Sequence, residues 1–226
     1  MPNKKRLLNF RGARGMQIML KGNREQNIKK IITMEDRVIS CKRCKSSLQC
    51  IRKPSLGKGD LEPEVVLVFE SDNNFTSDIK NIIEIRKIIS TEFNLEKVYH
   101  TFLVRCQPKA CPFLTNTLCH GDNKLVDKEY NCILNNKKCS GIPIRPTDEH
   151  ILSCLPYVVE EIEILKPVYL FLFGERVANF MLRSWGLFEE CSIPAVYNIN
   201  ELTVFMVDYE EHFNSSYCRE LKVLRD

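Results

Sequence analysis

Val65-Val66-Leu67-Val68-Phe69 is an unbroken apolar run with three β-branched residues. A strand with no polar alternation is covered on both faces, which is the situation of a parallel sheet held between helical layers. Helical stripes stand on either side of it. Glu25–Ser40 places Ile28, Ile31, Ile32 and Val38 on one face; Ser77–Ser90 carries Ile79, Ile82, Ile83, Ile85, Ile88 and Ile89, with Thr76 or Ser77 as its N-cap. Further strands are expected at Val98–Arg105, Pro167–Phe173 and Leu202–Val207. Helices are expected over Thr147–Leu165, from Gly174-Glu175-Arg176 to Trp185, and over Phe213–Leu224. This alternation predicts an α/β layered sandwich.

A chain of 226 residues has room for one sizeable core. Charge is unevenly divided. Residues 1–30 carry nine Lys/Arg and one acid, Glu25, whereas the whole chain nets only +4. The expected organisation is a basic N-terminal arm over 1–30 and a single domain over 31–226. A basic arm on a mildly acidic body suits a polyanion, DNA first.

Eleven cysteines are many for a protein without a disulfide framework. Met16–Leu20 is too short and too broken for a secretory apolar region, and no apolar run approaches the roughly 18 residues of a membrane span. A cytoplasmic, monomeric protein with metal-bound or free thiols is the expectation.

Four of the cysteines form a pattern: Cys41-Lys42-Arg43-Cys44, Cys106 at the end of a strand-like run, and Cys154 inside a helix-like run. Such a mix of near and far spacings can close around one iron–sulfur cluster. The C-x-x-C by itself also suits zinc sites and redox pairs. Gln107–Arg145 interrupts the strand–helix rhythm as a Cys-rich insertion containing Cys111, Cys119, His120, Cys132 and Cys139. Those residues could hold an additional zinc, although their spacing matches no common zinc pattern.

A longer succession of motifs surrounds these cysteines. It runs Cys41-x-x-Cys44, Val65–Phe69, Val98-Tyr99-His100-Thr101 into Arg105-Cys106-Gln107-Pro108, and Asp148-Glu149 ahead of Cys154-Leu155-Pro156-Tyr157. Then come Glu161–Pro167 and Phe173-Gly174-Glu175-Arg176-Val177-Ala178. From Asp36 to Arg183 this resembles the iron–sulfur, family-four branch of the uracil-DNA glycosylase superfamily. The resemblance implies a three-layer α/β/α sandwich with a short, mainly parallel central sheet. It also implies a [4Fe-4S] cluster on Cys41, Cys44, Cys106 and Cys154, with DNA as partner.

The same comparison shows departures in the active-site motifs. The family's G-E-[AG]-P-G loop reads Phe69-Glu70-Ser71-Asp72-Asn73, its base-reading asparagine falls on Phe102, and the histidine of its H-P-S motif falls on Tyr209 in ungapped matching, with His212 three residues on. The expected catalytic groups are therefore Glu70, Asp72 and His212. Base-binding is expected of Asn73, Asn74, Phe75 and Phe102, and phosphate contact of Arg105 and Lys109. With the uracil reader replaced, the expected activity is excision of a non-standard base, such as a modified pyrimidine, in DNA repair or defence against phage. The alternative expectation is an inactive relative that binds DNA or a repair partner.

Overall fold

The computed structural model describes residues 24–44, 54–110, 127, 129, 131–133, 136–138, 142–188 and 192–225. Helix α1 spans Arg24–Ile39, and the short strand β1, Lys58–Gly59, precedes β2, Val65–Ser71. Then come α2 (Ile79–Phe93), β3 (Val98–Val104), and the short strands β4 (Lys109–Ala110), β5 (Asn131–Cys132), β6 (Lys137–Lys138) and β7 (Ile142–Pro143). The rest is α3 (Asp148–Leu165), β8 (Tyr169–Phe173), α4 (Glu175–Ser184), β9 (Ala195–Ile199), β10 (Leu202–Val207) and α5 (Ser215–Arg225).

Six strands form the central sheet in the order β1-β3-β2-β8-β10-β9. The four inner strands are mutually parallel, and the two edge strands run antiparallel to their neighbours. Alternate residues of β2 face opposite layers. Val66 and Val68 pack with α1, α3 and α4; Val65, Leu67 and Phe69 pack with α2 and α5. The fold is thus the expected three-layer α/β sandwich. No helix among the described residues is long and apolar enough to cross a membrane.

Sequence and structure differ in instructive places. α1 already begins at Arg24, so the last residues of the basic arm belong to the first helix, while residues 1–23 lie outside the described residues. Asp78, not Thr76 or Ser77, caps α2: its backbone is extended and its side chain accepts the Lys80 N–H at 3.0 Å. Edge strand β9 was not anticipated, because its half-buried Ala-Val-Tyr-Asn-Ile carries little apolar signal. A two-residue connection with Asn200 at φ 56° folds it back onto β10. The insertion has local order too: β4 pairs with β7 and β5 with β6.

Candidate functional site

The inner strands, in sheet order, are the second, first, third and fourth of the chain, so the direction of winding reverses between β2 and β8. Open parallel sheets bind ligands outside their carboxyl ends at such a reversal, where the two loops diverge and leave a crevice. A cavity of about 300 Å³ lies here, lined by the end of β2 and the turn after it, by the segment that follows β10, and by the two ends of the insertion.

Four of the expected residues line it: Glu70, Asn73, Asn74 and Phe75. Glu70, near the end of β2, accepts from Arg176 Nη1 at 2.6 Å and faces the more exposed Arg145 at 3.4 Å. Arg176 follows β8 and also binds the Pro146 carbonyl at 2.6 Å and the Asp148 carboxylate. Asn73 makes the turn after β2: its Oδ1 accepts the backbone N–H groups of Phe75 and Thr76, both at 2.9 Å. Its Nδ2 donates to Glu210 Oε1 at 2.6 Å. Turn chemistry and site chemistry meet in this one asparagine.

Four other expected residues do not line this cavity. Asp72 accepts from Ser55 Oγ at 2.8 Å and does not line the cavity. Phe102 is buried among Phe69, His100 and the α2-side core, because its position in β3 turns it to that layer. His212 is exposed and pairs with Asp208 at 3.0 Å on the short 3₁₀ turn Glu210–His212, away from the cavity lining. Arg105 is 1% exposed and pairs with the fully buried Glu161, so phosphate is out of its reach. Lys109 is placed on β4 at the stem of the insertion. Of the expected zinc residues only Cys132 is described, and it is buried; Cys111, Cys119, His120 and Cys139 lie outside the described residues.

Sequence reasoning missed Gln107, Arg145 and Glu210, all of which line the cavity, and Arg176, which holds Glu70. Tyr209, the residue matched to the family's histidine, also lines it, with its hydroxyl 3.5 Å from Arg145 Nη2. Gly174 adopts φ +88°, and a Cβ there would stand 2.9 Å from the Tyr209 ring, so glycine both makes the turn and seats the tyrosine. Glu210 is 3% exposed, and burial raises its carboxyl pKa above the ordinary value, partly offset by hydrogen bonds from its own backbone N–H and Asn73. Its place directly after the residue matched to the family's histidine was the available signal.

A second, smaller cavity, about 10 Å³, is ringed by Cys41, Cys44, Cys106 and Cys154, with Val38, Arg105 and Tyr157. Arg43, between the first two cysteines, donates to the Ser153 carbonyl at 3.3 Å and lies 4.7 Å from the Tyr157 ring centre. The C-x-x-C is thereby fastened to α3 on both sides of Cys154. The thiols influence one another strongly: Cys44 hydrogen-bonds to Cys154, which raises the Cys44 pKa and lowers that of Cys154. Burial, then the neighbouring Cys44 and Cys41, pushes Cys106 up to about 12.

The donor set fits an iron–sulfur cluster. All four potential ligands are sulfur, and Arg105 Nε and Nη1 are buried without hydrogen-bond partners at the same cavity. Cluster sulfurs are acceptors of the kind these N–H groups lack. No group of three or more His, Cys, Asp or Glu among the described residues is arranged to hold a metal ion. That arrangement would gather ligands on one atom, whereas a four-iron cluster takes each thiolate at a different corner.

Fold and site together define an open α/β sandwich with a polar cavity at its winding reversal and a four-thiol centre beside it. No protein-family model matches the chain, and no curated protein matches it.

Proposed function

We propose that the chain is a DNA glycosylase of the iron–sulfur type, which flips a modified pyrimidine out of DNA and hydrolyses its N-glycosidic bond. The observation that carries this reading is the pairing of two features on one scaffold. Four cysteines ring one cavity, and a carboxylate-bearing cavity of about 300 Å³ opens at the carboxyl ends of the parallel strands. A base must leave the helical stack to enter such a cavity.

Hydrolysis adds water oxygen to the sugar C1′ while the base departs with the bonding electrons. Positive charge grows on the sugar and negative charge on the base. Glu70 and Asn73 line the cavity, and in this reading they orient a water and stabilise the charge on the sugar. Arg145 and the Tyr209 hydroxyl, 3.5 Å apart, supply donors for the departing base. Because Glu70 shares its charge with Arg176, its role is orientation and electrostatics. A [4Fe-4S] cluster on Cys41, Cys44, Cys106 and Cys154 would staple the segment after α1 to the end of β3 and to α3; the hydrolysis calls for no electron transfer. DNA is the partner, the protein acts as a monomer, and DNA repair or defence against phage-modified DNA is the setting.

The test incubates full-length, iron-loaded protein with oligonucleotides carrying uracil, 5-hydroxymethylated or glucosylated pyrimidines, and scores abasic sites by alkaline cleavage. Abasic product is expected from a modified pyrimidine, reduced about a hundredfold by Glu70→Gln. Absence of product from every substrate sinks this reading. A second reading, an inactive DNA-binding relative, draws on the engagement of Glu70 by both Arg176 and Arg145. It predicts salt-sensitive DNA binding without base release.

A further inference from the structure

We propose that this cavity selects a cytosine-type base, one bearing an exocyclic amine, through Gln107 Oε1 and the Glu210 carboxyl acting as acceptors. The inference rests on the reading of the cavity as a base-binding site, and deepens it by naming the base edge.

Gln107 lines the cavity and is 6% exposed. Its Nε2 donates to the carbonyls of Pro108 at 3.0 Å and Ile144 at 2.7 Å. Carbonyl oxygens only accept, so the amide orientation is fixed: nitrogen faces the backbone and oxygen is left over. That Oε1 is buried and has no partner. Buried acceptors without donors are rare, and each calls for an explanation.

The neighbouring amide is committed in the same sense. Asn73 Oδ1 takes the Phe75 and Thr76 N–H groups, which turns Nδ2 onto Glu210 Oε1. Gln107 thus spends both amide donors on the protein, and the half-buried Asn73 spends one of its two on Glu210. Beside the donors Arg145 and the Tyr209 hydroxyl, the buried part of the lining keeps acceptor capacity: Gln107 Oε1, and the lone pairs of the Glu210 carboxyl that Asn73 and its own backbone N–H do not use.

An acceptor pair distinguishes pyrimidines at the C4 substituent. The amine of cytosine offers two N–H donors, and a carboxyl is a natural acceptor for it. The C4 oxygen of uracil or thymine would set acceptor against acceptor. Substituents at C5 lie off this edge, so 5-modified cytosines present the same donors.

The experiment measures anisotropy of labelled single-stranded oligonucleotides with one central, non-cleavable 2′-fluoroarabino cytidine or uridine, bound by the full chain. Roughly tenfold tighter binding of the cytidine probe is expected, as for one good bidentate base contact. Gln107→Leu should reduce the preference to less than twofold; circular dichroism checks that the variant folds. Equal or tighter binding of the uridine probe, no binding of either, or an unchanged preference in Gln107→Leu overturns the inference. Preference without base release in the cleavage assay removes the glycosylase reading and leaves base selection standing. Base release without preference does the reverse.

Discussion

Arg176 Nη1 donates to Glu70 Oε1 at 2.6 Å, so a residue in the first turn of α4 answers the charge near the end of β2 across the winding reversal. The Glu70 side chain is 13% exposed and the Arg176 side chain 18%. Arg176→Met should therefore lower stability by about 2 kcal/mol in urea denaturation, because a half-buried carboxylate loses its principal donor. Arg176→Lys should fall between, since an ammonium cannot span Glu70, Asp148 and the Pro146 carbonyl with one planar fork. A fully stable Arg176→Met protein would show that Glu70 is held by other means.

Metal content separates the four-thiol centre from the other cysteines. Protein purified without oxygen should carry about four irons with matching sulfide. Cys106→Ser and Cys154→Ser should lose most of both and unfold more readily. Cys218→Ser should keep them, since Cys218 is buried on the core face of α5, in the opposite layer, with burial pushing its thiol up to about 12. Zinc in place of iron in the unaltered protein would contradict the cluster.

The buried pair between Arg105 and Glu161 gives a different signature. Glu161 is fully buried and accepts from Tyr99 Oη at 2.8 Å and Thr101 Oγ1 at 2.6 Å as well as from Arg105. Arg105→Met should cost about 3–5 kcal/mol by leaving that carboxylate uncompensated. Adding Glu161→Met should restore part of the loss, which denaturation of the single and double variants would reveal. A double variant weaker than Arg105→Met alone would contradict this account.

His100 makes folding pH-dependent. It is 2% exposed, and burial first, then Arg86 and Lys58, pushes its pKa down to about 4. As pH falls from 6.5, the unfolded chain takes up this proton before the folded one does. The histidine's contribution is therefore intact above pH 6.5 and is lost progressively toward pH 4, by about 3 kcal/mol in all. His100→Gln should be measurably less sensitive over that window than the unaltered protein; identical pH profiles would discount the buried imidazole.

The fold was legible because continuous apolar strands and isoleucine-striped helices carry their own periodicity. β2 and β10 began where expected, and β9 escaped because an edge strand buries too little to need apolar residues. The gathering of the four cysteines around one cavity was legible for a related reason: cysteines stand out by type and local spacing. The cavity was half legible. Glu70 and Asn73 follow directly from a recognisable strand, but Gln107, Arg145 and Glu210 reach it only through the return of the insertion and the register of β10. Arg105 and Phe102 misled because strand position decides which layer a side chain enters, and chemistry alone does not.

Helix α3 behaves as a ruler. Asp148 at its start grips Arg176 beside Glu70, Cys154 along its length faces the other thiols, and Glu161 near its end receives Arg105. Thirteen residues separate the first mark from the last, roughly 20 Å of rigid rod. A displacement of that rod along its axis shifts all three marks together. The distance between the larger cavity and the four-cysteine cluster is thus set by one element of fixed length, and strain arising at either end is delivered to the other.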